Sequence, residues 1–505
     1  MTCSSNRRCR APRVAAVALG TLLLGACAAG PDYRGPPKVD TGHGWTQPDT
    51  AAPAPASLPT WWTTLGDPTL ERLVATALAD NLDLRQAQAR IAEERALRDR
   101  TAGGHAPTVG AGASVTRRRQ SKNGPLPIGA IPGLARDQTI HDAGFDAAWE
   151  IDLFGATRRA VEGAEARLQA AQDDAAGVRI SIAAEVARSY LSLRGAQREL
   201  AAREASVQAL AQTADLVGQR FRAGDAAQAD VDAAQARLDA ASAGLPAIQA
   251  RARAAALGLG VLLGAPPERE LALLDTAAAP ITLAPIPVGQ RADILRRRPD
   301  VRAAERRLAA RTADIGVATA ELFPKLSIGA SGGFQALDAS QLFDSASQRF
   351  SLMPLISWRV FDGGRVRAEI RASEAREQQA ALAYEKAVLT ALGDAERALG
   401  DYRLGVEAVR LQRTALDAAR RSYAHAQARY AAGDIALTDL LAEERVLRDA
   451  EDGYARTHTA AAIDLVALFK ALGGGWDADA GDADTRGQEK VGARSPARQE
   501  QPPHG

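Results

Sequence analysis

Few side chains in this 505-residue sequence are placed to do chemistry, and most of those are carboxylates. Asp230 and Asp439 stand 209 positions apart, each six residues beyond the glycine of an Ala-Gly-Asp triplet, Gly224-Asp225 and Gly433-Asp434. Carboxylates gathered near one axis favour cations and bind divalent ions. Asp232 substitutes for Asp230 if the facing differs, and Tyr430 brings a phenolic hydroxyl to the same level. A second set, Asp142, Asp146, Glu150 and Asp152, falls on even positions of one segment, so a β-strand there would put all four on one face. Nothing assembles a catalytic constellation. The six His residues are scattered, with no pair at metal-ligand spacing, so neither an enzyme nor a metal site is expected. Gly110-Ala111-Gly112-Ala113 and the run from Gly329 to Gly333 imitate phosphate loops but lie in alternating segments with no following helix start. With 62 basic and 61 acidic side chains there is no basic surface for nucleic acid.

The amino terminus carries a different chemistry. Arg7, Arg8, Arg10 and Arg13 precede an apolar run, Val14 to Leu24, that is too short to span a bilayer. Leu24-Gly25-Ala26-Cys27 follows and resembles the lipobox of bacterial lipoproteins. The resemblance implies a signal peptide over 1–26, a diacylated Cys27 as the only covalent group, and a lipidated segment over 27–60. Ala28, where an Asp would retain a lipoprotein at the inner membrane, points to the outer one. The alternative is an ordinary cleaved signal with a chance cysteine. Beyond Cys27 no run approaches 18 apolar residues, so any membrane span must be β.

The elements that position the acids come from an internal duplication. Phe221 to Asp225 recurs as Tyr430 to Asp434, and Trp149 recurs as Trp358, at an offset of 209; upstream, Pro107 matches Pro324 at 217. The first repeat covers 61–264, with a helix, strands over about 107–117 and 140–153, a long helix over 155–222 and a helix over 225–264. A Pro-rich linker, 265–299, leads to the second repeat, 300–476. It holds a helix, strands over about 324–335 and 349–361, a long helix over 364–431 and a helix over 434–472. A polar tail, 477–505, is expected to be disordered.

The strands alternate with period two. Ala143, Phe145, Ala147, Trp149, Ile151 and Leu153 oppose the acids of the second strand, and Phe350, Leu352, Ile356, Trp358 and Val360 form a like row in the fourth, although Leu355 breaks its polar side. Such rows suit lipid on one side and a lumen on the other. The alternative is a half-buried sheet over a soluble core, for which no amphipathic helix with a wide apolar face is available. Open strand edges are forbidden in hydrocarbon, so four strands per chain require an oligomer. The long helices carry heptads, Val186, Leu193, Leu200, Val207, Ala214 and Phe221 in one, and Ala395 to Tyr430 in the other, which implies left-handed supercoiling.

Taken in order, these residues resemble one family. Trp61-Trp62 with Asp67-Pro68, Trp149-Glu150 with Asp152-Leu153-Phe154-Gly155, and Arg298-Pro299-Asp300 carry the match. Phe361-Asp362-Gly363-Gly364 and Ala471 to Trp476 complete it. The chain resembles the outer-membrane factors of tripartite efflux systems, the TolC-like channels, in their NodT-type lipoprotein branch. That implies an α+β membrane protein: a homotrimer with a 12-stranded β-barrel, four strands per chain, continued by a 12-helix coiled-coil α-barrel, with 265–299 as an equatorial linker. It implies a periplasmic adaptor protein and an inner-membrane pump as partners, outer-membrane lipid around the barrel, and export of small molecules. Gly224-Asp225 and Gly433-Asp434 become the periplasmic tips where the adaptor docks, with Asp225 and Asp434 as helix-starting caps. Asp230, Asp439 and Tyr430 become a gate, with a solvated helix face as the alternative. The family's Leu-Asp-Ala after the second tip is absent, since Ala442 follows Leu441. A protein-secretion channel or a coiled-coil tether would be the other readings of the architecture.

Overall fold

The computed structural model describes residues 28–42, 44–46, 58–121, 135–276, 281, 283 and 291–476. The expected signal peptide, Cys27 and the tail 477–505 lie outside the described residues, as do all of the loop 122–134 and most of the stretch 277–290.

After a 3-10 stretch, Leu58–Leu65, come two helices, α1 (Pro68–Asp80) and α2 (Leu82–Ala102), where one was expected. Asn81 breaks them: its Nδ2 donates to Leu262 O at 2.8 Å while its Oδ1 accepts from Asp83 and Leu84 N at 2.9 and 3.1 Å. One amide thus caps the start of α2 and ties it to a distant carbonyl. Strands β1 (Thr108–Arg119) and β2 (Asp137–Ile151) follow, then α3 (Ala156–Ala223). Its 68 residues, at about 1.5 Å each, run roughly 100 Å. The helix expected over 225–264 is also two, α4 (Gln228–Ala243) and α5 (Leu245–Leu262). Pro246, in the first turn of α5, has no N–H to continue the ladder. The linker is not featureless: it holds a 3-10 stretch, Pro267–Asp275, and a short helix, α6 (Arg291–Arg297). The second half runs α7 (Pro299–Ala320), β3 (Lys325–Ala336), β4 (Gln348–Ser357), α8 (Arg365–Ala431) and α9 (Leu437–Ala471).

Two compact units form, and they cut across the repeats. The described residues of 91–170 and 304–384, with residues 28–37, make the first; those of 38–90, 171–303 and 385–476 make the second.

The first unit holds one antiparallel sheet in the order β1-β2-β3-β4. Its register brings the apolar positions of all four strands onto one face. Ala147 lies opposite Val109 and Ala330, Phe145 opposite Ala111 and Gly332, and Leu326 opposite Ile151 and Ile356. Directly opposed residues share a face, so the rows read from the separate strands join into a single surface. Gly144 and Gly333 face each other, and close approach demands both. A Cβ on Gly333 would stand 2.3 Å from Ala143 O, and one on Gly144 2.6 Å from Gly332 O. The strands stop earlier than alternation suggests: β2 ends before Leu153 and β4 before Trp358 and Val360.

The second unit is helical and builds a small dense core. Trp61 is fully buried and stacks on Phe469 with centroids 4.9 Å apart, and Leu70, Leu73, Tyr190 and Leu468 of the same unit are likewise fully buried. Tyr190 Oη donates to Asp67 Oδ2 at 2.6 Å, and the other carboxylate oxygen caps α1 through Thr69 N at 2.9 Å. Burial follows the heptads part of the way. Val186, Leu193, Ala395 and Tyr402 are buried, whereas Val207 and Tyr423 are half-buried and Phe221 is exposed.

Candidate functional site

The polar face of the sheet collects Asp142, Asp146 and Glu150 from β2, with Ser327, Ser331 and Lys325 from β3 and Arg349 and Ser351 from β4. It is not a bare acidic strip. Arg349 Nε donates to Asp142 Oδ2 at 2.8 Å, Gln335 Nε2 reaches the same oxygen at 3.0 Å, and Arg349 Nη1 donates to Ser331 Oγ at 3.3 Å. Ser331 and Ser351 share a hydrogen bond of 2.8 Å, and Lys325 Nζ sits 4.0 Å from Glu150. Arg349 is the residue that strand-by-strand reading missed. Its parity, opposite to that of Phe350, was the available signal.

Asp152 is not a strand acid. It lies past the end of β2, and its two carboxylate oxygens accept from Thr157 N at 3.1 Å and Arg158 N at 2.8 Å, in the first turn of α3. The free N–H groups of a helix start hold an anion there, where the macrodipole also favours it. Asp362 does the same work for α8, accepting from Gly364 N and Val366 N at 2.8 Å each. These backbone bonds hold the Asp362 carboxyl below its ordinary range. At the same junctions, Trp149 Nε1 donates to His105 O at 2.9 Å and Trp358 Nε1 to Leu322 O at 3.0 Å. The donors are 209 apart and the acceptors 217 apart, the two offsets at which the sequence matches itself. Each indole thus pins the end of one strand to the segment entering its neighbour.

At the helix tips Gly224 and Gly433 adopt φ of 88° and 80°. Gly224 N bonds Phe221 O at 3.0 Å and Asp225 N bonds Arg220 O at 2.8 Å; Gly433 N to Tyr430 O and Asp434 N to Arg429 O, both 2.9 Å, repeat the pattern. This is a glycine-terminated Schellman cap at each tip. The expected cap role of Asp225 and Asp434 is overturned, because α4 and α9 begin three residues later behind Ala227 and Ala436. An alanine side chain cannot accept a hydrogen bond. The carboxylates that help are Asp230 and Asp439, whose Oδ2 atoms accept from Ala227 N at 3.0 Å and Ala436 N at 3.2 Å. Both therefore serve as the acidic half of a capping box. Asp232 accepts from Gln228 Nε2 at 2.9 Å, and Tyr430 is half-buried on the last turn of α8.

The amino-terminal residues are strapped to the strand–helix junction. Ala29 N donates to Phe154 O at 2.9 Å, and Asp32 pairs with Arg159, whose side chain is 6% exposed and also holds Glu162 at 2.7 Å. Gly155, at φ 79°, leaves room for the strap: a Cβ there would lie 2.9 Å from Ala28 Cα. Among the described residues no helix is apolar enough over 18 residues to cross a membrane, and no cluster of His, Cys, Asp and Glu could hold a metal.

A family model described as outer membrane efflux protein matches residues 73–265 and 291–474. The outer membrane protein OprJ of Pseudomonas aeruginosa is 33% identical over 465 residues, covering 90% of this chain and 94% of that one. Nodulation protein T of Rhizobium leguminosarum is 28% identical over 92% of this chain and 94% of its own. The solved structure of the outer-membrane channel OprN superposes with a TM-score of 0.79 at 38% identity, covering 89% of this chain and all of that one. A channel architecture carrying four strands per chain, matched over nearly its whole length, places this protein in the outer membrane efflux protein family.

Proposed function

We propose that the protein is the exit duct of a tripartite efflux system, a homotrimer that conducts small molecules such as drugs through the outer membrane. One observation carries the reading: a four-stranded sheet with one continuous apolar face and two unpaired edges. Hydrocarbon tolerates the face and forbids the edges, so β1 of one copy must pair with β4 of another, and three copies give twelve strands. The polar face then lines the pore. A coiled-coil tether would leave that sheet without a use.

The other parts follow from the same reading. A lipid on Cys27 is supported by the strap, since Ala28, the next residue, packs at the strand–helix junction. A periplasmic adaptor protein docks on the tips at Gly224-Asp225 and Gly433-Asp434 and couples the duct to an inner-membrane pump. Asp230 and Asp439, which cap their helices through Oδ2 and keep Oδ1 outside that bond, form the gate with Asp232 and Tyr430. Single-channel recording of the purified protein in a planar bilayer tests the proposal. Cation-selective steps are expected, with divalent block that weakens in Asp230→Ala/Asp439→Ala. Membrane-inserted trimers that carry no current would overturn the duct, and identical block in the double variant would overturn the gate alone.

A further inference from the structure

We propose that the rim of the sheet remote from the helices docks phosphorylated lipid headgroups of the outer leaflet, through Arg117 with Arg119 beside it. The inference rests on the sheet being a wall of an outer-membrane barrel. All four helix connections leave one end of that sheet, at Thr108, Ile151, Lys325 and Ser357. The opposite end, where β1 turns to β2, is therefore the cell-surface end.

Strand parity sets what emerges there. Val109, Ala111, Ala113 and Val115 occupy the hydrocarbon-facing row of β1, and the next two members of the row are Arg117 and Arg119. Two cations thus project outward, not into the pore, at the height where the apolar row ends. Arg118 points to the other face, where its guanidinium donates to Gln138 Oε1 at 3.2 Å. Arg119 Nε lies 2.9 Å from Asp137, while Arg117 faces Thr139 and has no ion partner among the described residues. From 117 to 136 the sequence holds Arg117, Arg118, Arg119, Lys122 and Arg136 and not one carboxylate. A guanidinium fork matches a phosphate bidentately, and anionic headgroups gather at this depth. The β3–β4 connection is of another character, with Asp338, Asp344 and an exposed Phe343. Each chain therefore offers one such site.

The test uses the full-length protein in an uncharged detergent with three probes: diphosphorylated lipid A, the same lipid dephosphorylated, and inorganic phosphate. Binding is read by native mass spectrometry on wild type, Arg117→Ala/Arg119→Ala and Arg118→Ala. Wild type and Arg118→Ala should hold diphosphorylated lipid A equally, and the double variant should weaken by about fivefold per arginine removed. Undiminished binding by the double variant overturns the proposal. So does equal binding of the dephosphorylated lipid, which would mean acyl contact alone, or displacement by inorganic phosphate at equal concentration, which would mean a free-anion site. Should the double variant not assemble, Arg117→Gln keeps the side-chain length and must show the same loss. Channel activity in a planar bilayer separates the two readings. Conducting wild type without lipid discrimination removes the rim site, whereas absent conduction removes the barrel on which it rests.

Discussion

Placing one arginine on either face of β2 separates the two sides of the sheet by energy. Ala147 lies in the middle of the apolar row that runs from Ala143 to Ile151, opposite Val109 and Ala330. At about 3.4 Å per residue and a tilt near 40°, that row spans roughly 20 Å of membrane depth. Ala147 is thus close to the midplane, where an arginine facing lipid costs about 2–4 kcal/mol. With about 1.4 kcal/mol per decade, each chain loses between about one and a half and three powers of ten in its folding equilibrium. Every copy in an oligomer bears the loss. Ala148, one residue on, lies opposite Thr108 and Gly329, on the face that already holds Asp146 and Glu150. Arginine there meets acids and water. Urea titration of folding into phospholipid vesicles, followed by heat-modifiable mobility on gels, should show Ala147→Arg failing at denaturant concentrations that Ala148→Arg tolerates. Matching midpoints for the two variants would refute the assignment of faces.

Three further outcomes are expected. Asp152→Ala leaves Thr157 N and Arg158 N without their acceptor and should cost about 0.5–2 kcal/mol in thermal unfolding, while Asp146→Ala should not. Gly224→Ala and Gly433→Ala force a side chain into left-handed backbone at about 1–2 kcal/mol each. Hydrogen exchange should then speed up at the Asp225 and Asp434 amides, and unchanged protection would count against the cap. Burial, with the nearby Asp401, raises the Asp464 carboxyl above its ordinary 3.8. A raised acid adds stability below its unfolded value and loses it as pH rises through the folded one. Asp464→Asn should therefore unfold at a higher temperature than wild type at neutral pH, with the gap closing below pH 3.8; a constant gap across pH would contradict this.

What could be read from sequence was whatever repeats along one element. Period-two alternation gave the face of Ala147 and of Phe350 because a strand turns its side chains by a fixed half-turn per residue. Junctions were harder. Asp152 falls on the right parity for the polar face, yet the strand has ended and the helix start claims both its oxygens. The preference for aspartate at a helix cap pointed to Asp225 and Asp434, whereas the chain spends three more residues in the turn and uses Asp230 and Asp439 from inside the helix. Cross-strand chemistry was hidden for another reason. Arg349 and Asp142 are 207 positions apart, and only the register of strands joined through several helices brings them together. Pro246 was visible as a helix breaker, but a heptad reading passed over it.

The parity of the sheet has a geometric consequence. Because β1, β2, β3 and β4 are all antiparallel, β1 and β4 run in opposite directions. Copies joined head to tail, β4 of one beside β1 of the next, then meet antiparallel at every seam, and the ring closes with one kind of ladder throughout. A chain with three or five strands would bring parallel edges together at each seam and mix two hydrogen-bond spacings in one wall. Two hairpins can never give an odd count. A duplication that copies a hairpin with its helices therefore conserves closure automatically, whatever else the copies later lose of their likeness.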